Sequence, residues 1–174
     1  MPLKTLRAWM RVDEPKAQEF APLRETLNAL DQLEPDRARF LAAFAYLLGR
    51  VAHADQHVST EETAAMEALV TEEGQLSRGQ TMVVVQLAKT SNLLFGGTAN
   101  FLVAREFSSM ASYEQKLALM RCLFAVSATD ESISLAEEAE IHRIAKELGI
   151  QQPDLVALRV SHKRYLPGVS GGQT

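Results

Sequence analysis

The sequence predicts an all-α fold: a single helical bundle of about seven to nine helices, built from two pseudo-symmetric helix-hairpin repeats. Three observations lead to this fold class. Apolar residues recur with helical spacing along nearly the whole chain, and the alternation typical of strands is almost absent. Proline, glycine and serine stand where helices would begin and end. A stretch of the first half recurs in the second half at an offset of 75 residues, which places Asp55 on Asp130.

The individual helices follow from their start and stop signals. Pro35 and Pro153 suit first helical positions, and Gly74 and Gly149 suit the position just past a helix end. Residues 1–166 are predicted to form one helical domain, and residues 167–174 a disordered tail with almost nothing to bury. The predicted helices span about residues 3–12, 16–30, 35–54, 59–73, 78–94, 99–109, 113–129, 135–148 and 153–164.

The run TMVVVQLA is the one segment whose periodicity is ambiguous, because its β-branched residues also suit a strand. Ser77 and Gln80, both just before this run, have the Ser-x-x-Gln form of a capping box. This context favours a helix.

Composition limits the classes of function. The 174 residues fit one domain, and a net charge of −4 without a polybasic block argues against nucleic acid as a partner. The single cysteine, Cys122, lies in the apolar run LALMRCLFAV, which indicates a buried packing role in a reducing compartment. No secretory signal is visible, and the longest apolar stretches are too short to span a bilayer. We therefore expect a soluble cytoplasmic protein.

The repeat covers residues of about 36–74 and 112–149. Each copy reads as a long helix that ends near an Asp, a short turn, and a second helix that opens with Ser-x-x-Glu. Apolar stripes at matching positions predict that two such hairpins stack on each other. The stripes are Phe44, Leu48, Val51, Met66 and Leu69 in the first copy and Leu119, Leu123, Val126, Ile141 and Ile144 in the second.

Two interpretations of the acidic turns remain open. In the first, Ser59 with Glu62 and Ser134 with Glu137 form capping boxes, other first-turn glutamates favour the helix dipole, and the aspartates only form turns. In the second, a helix-terminal Asp and a first-turn Glu from each turn hold a hard divalent cation, for which carboxylate oxygens are suited. His53 and His57 have no counterpart in the second copy, so histidine is not part of the shared chemistry.

Established metal motifs do not occur in the sequence. An EF-hand loop beginning at Asp55 would need Gly where Thr60 stands and Glu where Met66 stands. No Glu-x-x-His pair and no His-Glu-x-x-His motif is present, which argues against a di-iron bundle and a zinc protease.

The ordered pair of motifs HADQHVSTEE and SATDESISLAEE resembles the TerB-like family, which includes the tellurite-resistance protein TerB and the N-terminal domain of DjlA-type co-chaperones. The resemblance covers roughly residues 36–158 and departs from the family at Gln56 and Glu131, where the family has glycine. It implies an all-helical fold, an acidic cluster proposed to bind divalent metal, and a part in stress or membrane-linked complexes. The metal ligands implied are Asp55, Glu62, Asp130 and Glu137, with Glu61 and Glu138 as neighbours.

The leading hypothesis is a non-enzymatic module that binds Ca²⁺, Mg²⁺ or Mn²⁺, without an organic cofactor, in a bacterial stress-response assembly. Its partners would be proteins, including membrane-associated complexes, with no nucleic acid and no insertion into the membrane. The alternative is a metal-free acidic scaffold for a basic protein partner. A metal-dependent hydrolase comes third, because Ser108, Ser109 and Ser112 occupy ordinary turn or capping positions. Arg159, His162, Lys163 and Arg164 are interpreted as cations at a helix C-terminus.

Overall fold

The computed structural model describes residues 32–54, 60–74, 76–94, 98–130 and 132–162. Within these ranges, the side chains of residues 62, 73, 74, 90–94, 98–101 and 130 are not described. The predicted helices 3–12 and 16–30 and the predicted tail 167–174 lie outside the described residues.

The described residues form seven α-helices and one short 3₁₀-helix, and no strand occurs among them. The all-α prediction is therefore confirmed. The run TMVVVQLA lies inside a helix, as its capping box predicts. The helices are α1 (Pro35–Ala52), α2 (Thr60–Gly74), α3 (Arg78–Leu94), α4 (Thr98–Met110), α5 (Tyr113–Ser127), the 3₁₀-helix Ala128–Asp130, α6 (Leu135–Leu148) and α7 (Gln152–Ser161).

Local signals set the ends of these helices. Before α3, the Ser77 Oγ accepts a hydrogen bond from the Gln80 backbone N–H at 3.2 Å, and the Gln80 side chain accepts one from the Ser77 N–H at 3.2 Å. Each end of this capping box satisfies a backbone donor that the helix itself leaves unpaired. After α6, Gly149 adopts φ of 70°, the left-handed conformation that ends a helix and that glycine enters without steric cost.

Helix α1 is the centre of the bundle. All of its residues from 41 to 49 are buried, and it packs against α3, α4, α5 and α6. Phe40 and Phe44 meet Phe107 of α4, with ring centroids 5.4 and 6.2 Å apart respectively. A helix that is apolar on every side is stable in water only when other helices cover it, which explains why four helices pack on α1.

The apolar stripes of the two repeats form the core, as predicted. Nearly all of the ten stripe residues are buried, and Leu69 is partly buried against the same core. Helix α2 packs mainly on α5 and α3 rather than on α1, which precedes it. The turn 55–59 between α1 and α2 lies outside the described residues, so the pseudo-symmetry of the two repeats stays a prediction from the sequence.

Cys122 is fully buried in α5, and its thiol lies 3.9 Å from the backbone oxygen of Leu69. The predicted packing role is thus confirmed. Among the described helices, none has the length and apolar character needed to cross a bilayer.

Candidate metal centre at the acidic corners

We use first corner for residues 53–62 and second corner for residues 127–138, the two turns that carry the predicted ligands. The second corner is the better described of the two. This corner begins at the end of α5 and ends at the capping box of α6. The Ser134 Oγ accepts a hydrogen bond from the Glu137 N–H at 3.1 Å, and the Glu137 Oε2 accepts one from the Ser134 N–H at 2.8 Å. Both predicted contacts of this capping box are present.

Two residues of the same turn are also buried in the protein interior. Ile133, just before the cap, is 2% exposed, and Glu137 itself is only 3% exposed. The carboxylate of Glu137 is therefore held close to the protein interior by its backbone contact with Ser134. A buried carboxylate needs hydrogen bonds or a positive partner to remain ionised.

Glu138 makes a charge pair that the sequence analysis did not identify. Its Oε1 accepts a hydrogen bond from the Arg159 Nε at 2.8 Å and lies 2.7 Å from the second guanidinium nitrogen, Nη2. The Glu138 side chain is 13% exposed, and that of Arg159 is 46% exposed. Arg159 thus has a specific partner and does more than interact with a helix dipole.

One oxygen at the second corner has no protein partner. The Oγ of Ser127, the last residue of α5, is buried and is the one side-chain polar atom in the described part of the chain that is buried without a hydrogen bond. Thr129, two residues on, instead satisfies its hydroxyl by donating to the Val126 backbone oxygen at 2.7 Å. Asp130 follows in the 3₁₀-helix, and its side chain is not described.

The first corner is described only at its two ends. Asp55 lies outside the described residues, Glu62 belongs to α2 but its side chain is not described, and Glu61 is exposed. His57 also lies outside the described residues. The proposed ligands of the first corner therefore stay a prediction from the sequence.

His53 ends α1 and binds to α3 through its ring. Its Nε2 lies 3.1 Å from the Ala88 backbone oxygen and 2.9 Å from the Lys89 backbone oxygen. Because carbonyl oxygens only accept hydrogen bonds, the Nε2 of His53 is the donor in these contacts. His53 is thus an anchor between α1 and α3, and its Nε2 is not available as a metal ligand.

Among the side chains that the structure describes, no group of three His, Cys, Asp or Glu residues is arranged to hold a metal ion. The side chains of Asp55, Glu62 and Asp130 are not described, so this finding does not cover them. The donor atoms at the second corner are oxygens, which a hard cation prefers, although the capping box and Arg159 already engage the carboxylates of Glu137 and Glu138.

A buried ionic cluster connects α1 to α6, and the sequence analysis missed it. The Arg50 Nε donates to the Glu140 Oε1 at 2.7 Å, and its Nη1 donates to the Glu147 Oε2 at 2.7 Å. Arg143 binds the other oxygen of Glu140. The Arg50 side chain is only 5% exposed. The available sequence signal was a lone arginine directly after the run FLAAFAYLLG, since a charge at the end of such a helix needs partners if it is buried.

The pKa of Arg50 in this cluster and the pKa of the neighbouring Tyr46 both lie above their ordinary values. Burial alone would lower the pKa of Arg50, but the hydrogen bond to Glu147 and the charge of Glu140 outweigh it, so the pKa lies above its ordinary value. Burial raises the pKa of the Tyr46 phenol, which Arg50 partly offsets and Glu140 reinforces. Arg50 therefore carries its positive charge at neutral pH.

Comparison with known proteins gives one result. The family model described as tellurite resistance protein TerB matches residues 40–160, which is more than half of the chain. No curated protein and no solved structure matches the chain.

Proposed function

Because the chain belongs to the TerB family of tellurite resistance proteins, we propose that it is a non-enzymatic helical module that binds a divalent metal ion within a bacterial stress-response assembly in the cytoplasm. The observation that carries the proposal is the duplicated Asp-turn-Ser-x-x-Glu unit, which occurs twice inside the matched residues. Capping accounts for one Ser and one Glu in each unit, and it does not account for the Asp that recurs at both turns, Asp55 and Asp130.

The proposed ligands are Asp55 and Glu62 at the first corner and Asp130 and Glu137 at the second, with Glu61 and Glu138 beside them. When bound, a Ca²⁺, Mg²⁺ or Mn²⁺ ion would supply the positive charge that keeps several neighbouring carboxylates ionised. Two features support the second corner. Its capping box holds the Glu137 carboxylate in place, and the Ser127 hydroxyl is an oxygen without a protein partner.

The test is calorimetric titration of the full chain with Ca²⁺, Mg²⁺, Mn²⁺ and Zn²⁺, and of the double variant Asp55→Asn/Asp130→Asn. The control is Glu34→Gln/Glu114→Gln. Those two exposed acids lie at the opposite ends of α1 and α5 from the corners. The control has the same net charge as the double variant. Binding that the corner variant loses and the control keeps supports the proposal, and wild-type protein that binds none of the ions contradicts it.

A second candidate function is a metal-free acidic scaffold for a basic protein partner. The capping box and the pair with Arg159 already engage Glu137 and Glu138, which disfavours them as metal ligands, and the scaffold would use exposed acids such as Glu61 instead. A scaffold of this kind predicts association that weakens as salt is added, and no change of the melting temperature with metal. The same titration therefore separates the two functions.

A further inference from the structure

Helix α7 is apolar on two opposite sides. Its inner side packs on the core through Leu155, which is 5% exposed, and through Leu158, which is partly buried. Its outer side carries a second apolar stripe with the spacing i, i+3, i+4 and i+7. We call these four exposed residues the outer stripe: Pro153, Val156, Ala157 and Val160. With 3.6 residues per turn, the two sides lie on opposite faces of the helix.

Contacts with α5 hold α7 in this orientation at both ends. At the N-terminal end, the Tyr113 hydroxyl donates to the Asp154 Oδ2 at 2.5 Å and accepts from the Gln151 N–H at 3.1 Å. At the C-terminal end, the His162 ring stacks on the buried Phe124 ring, with centroids 5.5 Å apart. The outer stripe therefore faces away from the bundle.

Leu135 of α6 extends the apolar surface beyond the outer stripe. Helix α6 runs antiparallel to α7, because it begins where α5 ends and is followed by Gln151 beside the start of α5. Arg159 of α7 donates to Glu138 of α6 at 2.8 Å. Leu135 is one turn before Glu138 and 73% exposed, so it lies near the C-terminal end of α7.

The charges beside the outer stripe are already matched within the chain. Asp154 and Arg159 are the two charged residues of α7, which is described over its full length. Asp154 accepts the Tyr113 hydrogen bond, and Arg159 pairs with Glu138. A strongly charged partner would find no unmatched opposite charge on α7, whereas a second apolar stripe with matched charges is complementary to it.

The exposed area also limits the kind of complex. A fully exposed Val or Leu side chain presents about 60–120 Å² of apolar surface. The outer stripe and Leu135 together then offer about 200–400 Å², which is less than the roughly 800 Å² per partner of a stable interface. Such a surface supports a weak complex with a dissociation constant of about 0.1–1 mM.

We propose that two copies of this chain associate weakly through their outer stripes, with the two α7 helices antiparallel. The spacing of the stripe is the same in both chain directions, as a contact around a twofold axis requires. Pro153 then packs against the partner's Val160, and Val156 against the partner's Ala157. The small Ala157 opposite a larger Val lets the helices approach closely. This interface does not depend on metal binding.

The first experiment is sedimentation equilibrium of the metal-free full chain from about 10 μM to 1 mM. It compares the wild type with Val156→Asp and with Met82→Asp. Met82 is the matched control, because it is an exposed apolar residue of α3, 61% exposed against 53% for Val156. Val156→Asp should weaken association at least about tenfold, and Met82→Asp less than about twofold. Unchanged circular dichroism shows that each variant is folded.

The second experiment tests the antiparallel arrangement with a single new thiol, Ala157→Cys or Ser161→Cys, under mild oxidation. Both residues are exposed, and the native Cys122 is fully buried. In the proposed dimer, the Cα atoms of the two copies of residue 157 lie roughly 5–7 Å apart, within reach of a disulfide. The two copies of residue 161 are roughly 13 Å apart along the helix axis, which is too far.

Ala157→Cys should therefore form a disulfide-linked dimer at least about tenfold faster than Ser161→Cys. Equal rates overturn the antiparallel arrangement. Equal effects of Val156→Asp and Met82→Asp overturn the assignment of the interface to α7. A wild type that stays monomeric at about 1 mM overturns self-association, and it leaves the outer stripe to a different protein or to another segment of this chain.

Discussion

The buried cluster around Arg50 gives the sharpest prediction about stability. Arg50→Met removes the cation that pairs with both Glu140 and Glu147, whose side chains are only 11% and 18% exposed. Removing one partner of a fully buried ion pair costs about 3–5 kcal/mol. Glu140 keeps Arg143 and Glu147 is partly solvated, so we expect a loss of about 2–4 kcal/mol in the free energy of unfolding.

For a chain of this length, such a loss lowers the melting temperature by about 5–15 °C. Circular dichroism measures this loss in thermal and urea unfolding. Arg39→Met is the matched control on the same helix, because Arg39 pairs with Glu106 while their side chains are 31% and 25% exposed. Exposed pairs contribute about 0–1 kcal/mol, so the control should change stability little.

A triple variant separates two causes of the destabilisation: the loss of the ion pairs of Arg50, and the burial of the Glu140 and Glu147 carboxylates without that partner. Arg50→Met/Glu140→Gln/Glu147→Gln leaves no charge of the cluster buried, and it should recover most of the stability lost in Arg50→Met. Equal losses in Arg50→Met and Arg39→Met would refute the reasoning. A triple variant less stable than Arg50→Met would refute it as well.

Three further predictions concern single groups. Ser127→Ala removes a buried hydroxyl without a hydrogen-bond partner, so urea unfolding of the ion-free protein should show an unchanged or about 1 kcal/mol higher stability. A loss above about 1 kcal/mol would mean that the hydroxyl has a partner. Gly149 has a φ of 70°, which an L side chain rarely adopts, although the space around it is open. Gly149→Ala should therefore lower the free energy of unfolding in urea by about 1–2 kcal/mol. An unchanged stability would contradict this strain. The hydrogen bond to Asp154 raises the pKa of Tyr113, so its stabilising contact persists below that pKa and is lost as the pH rises through it. The phenolate absorbance that distinguishes the wild type from Tyr113→Phe should appear at lower pH in an Asp154→Ala background, and an unchanged titration would contradict the contact.

Local chemistry explains why so much of the fold could be predicted. Helix starts such as Pro35 and Ser134 and the stop at Gly149 act on backbone groups a few residues away, so their effects are readable from the sequence alone. The seven α-helices that the structure describes were accordingly predicted to within a few residues, whereas the predicted helices 3–12 and 16–30 lie outside the described residues. The stripe residues are apolar at helical spacing, and that pattern already fixes which face is buried.

Pairings between distant residues could not be predicted in this way. Arg50 meets Glu140 and Glu147 across 90 and 97 residues of sequence, and Arg159 meets Glu138 across 21. Each carboxylate has many cations within reach of a plausible helix arrangement, so only the packing selects its partner. The resemblance placed Glu138 beside the proposed ligands, and the structure adds that it forms an ion pair with Arg159.

The most direct test of metal binding is a crystal structure of the full chain grown with Mn²⁺, with diffraction data collected for the anomalous signal of manganese. The account predicts an anomalous peak bounded by carboxylate oxygens of the acidic corners, including Asp130 at the second corner. Well-ordered corners in which Asp55, Asp130 and the neighbouring glutamates are each solvated separately, without a peak, would contradict it.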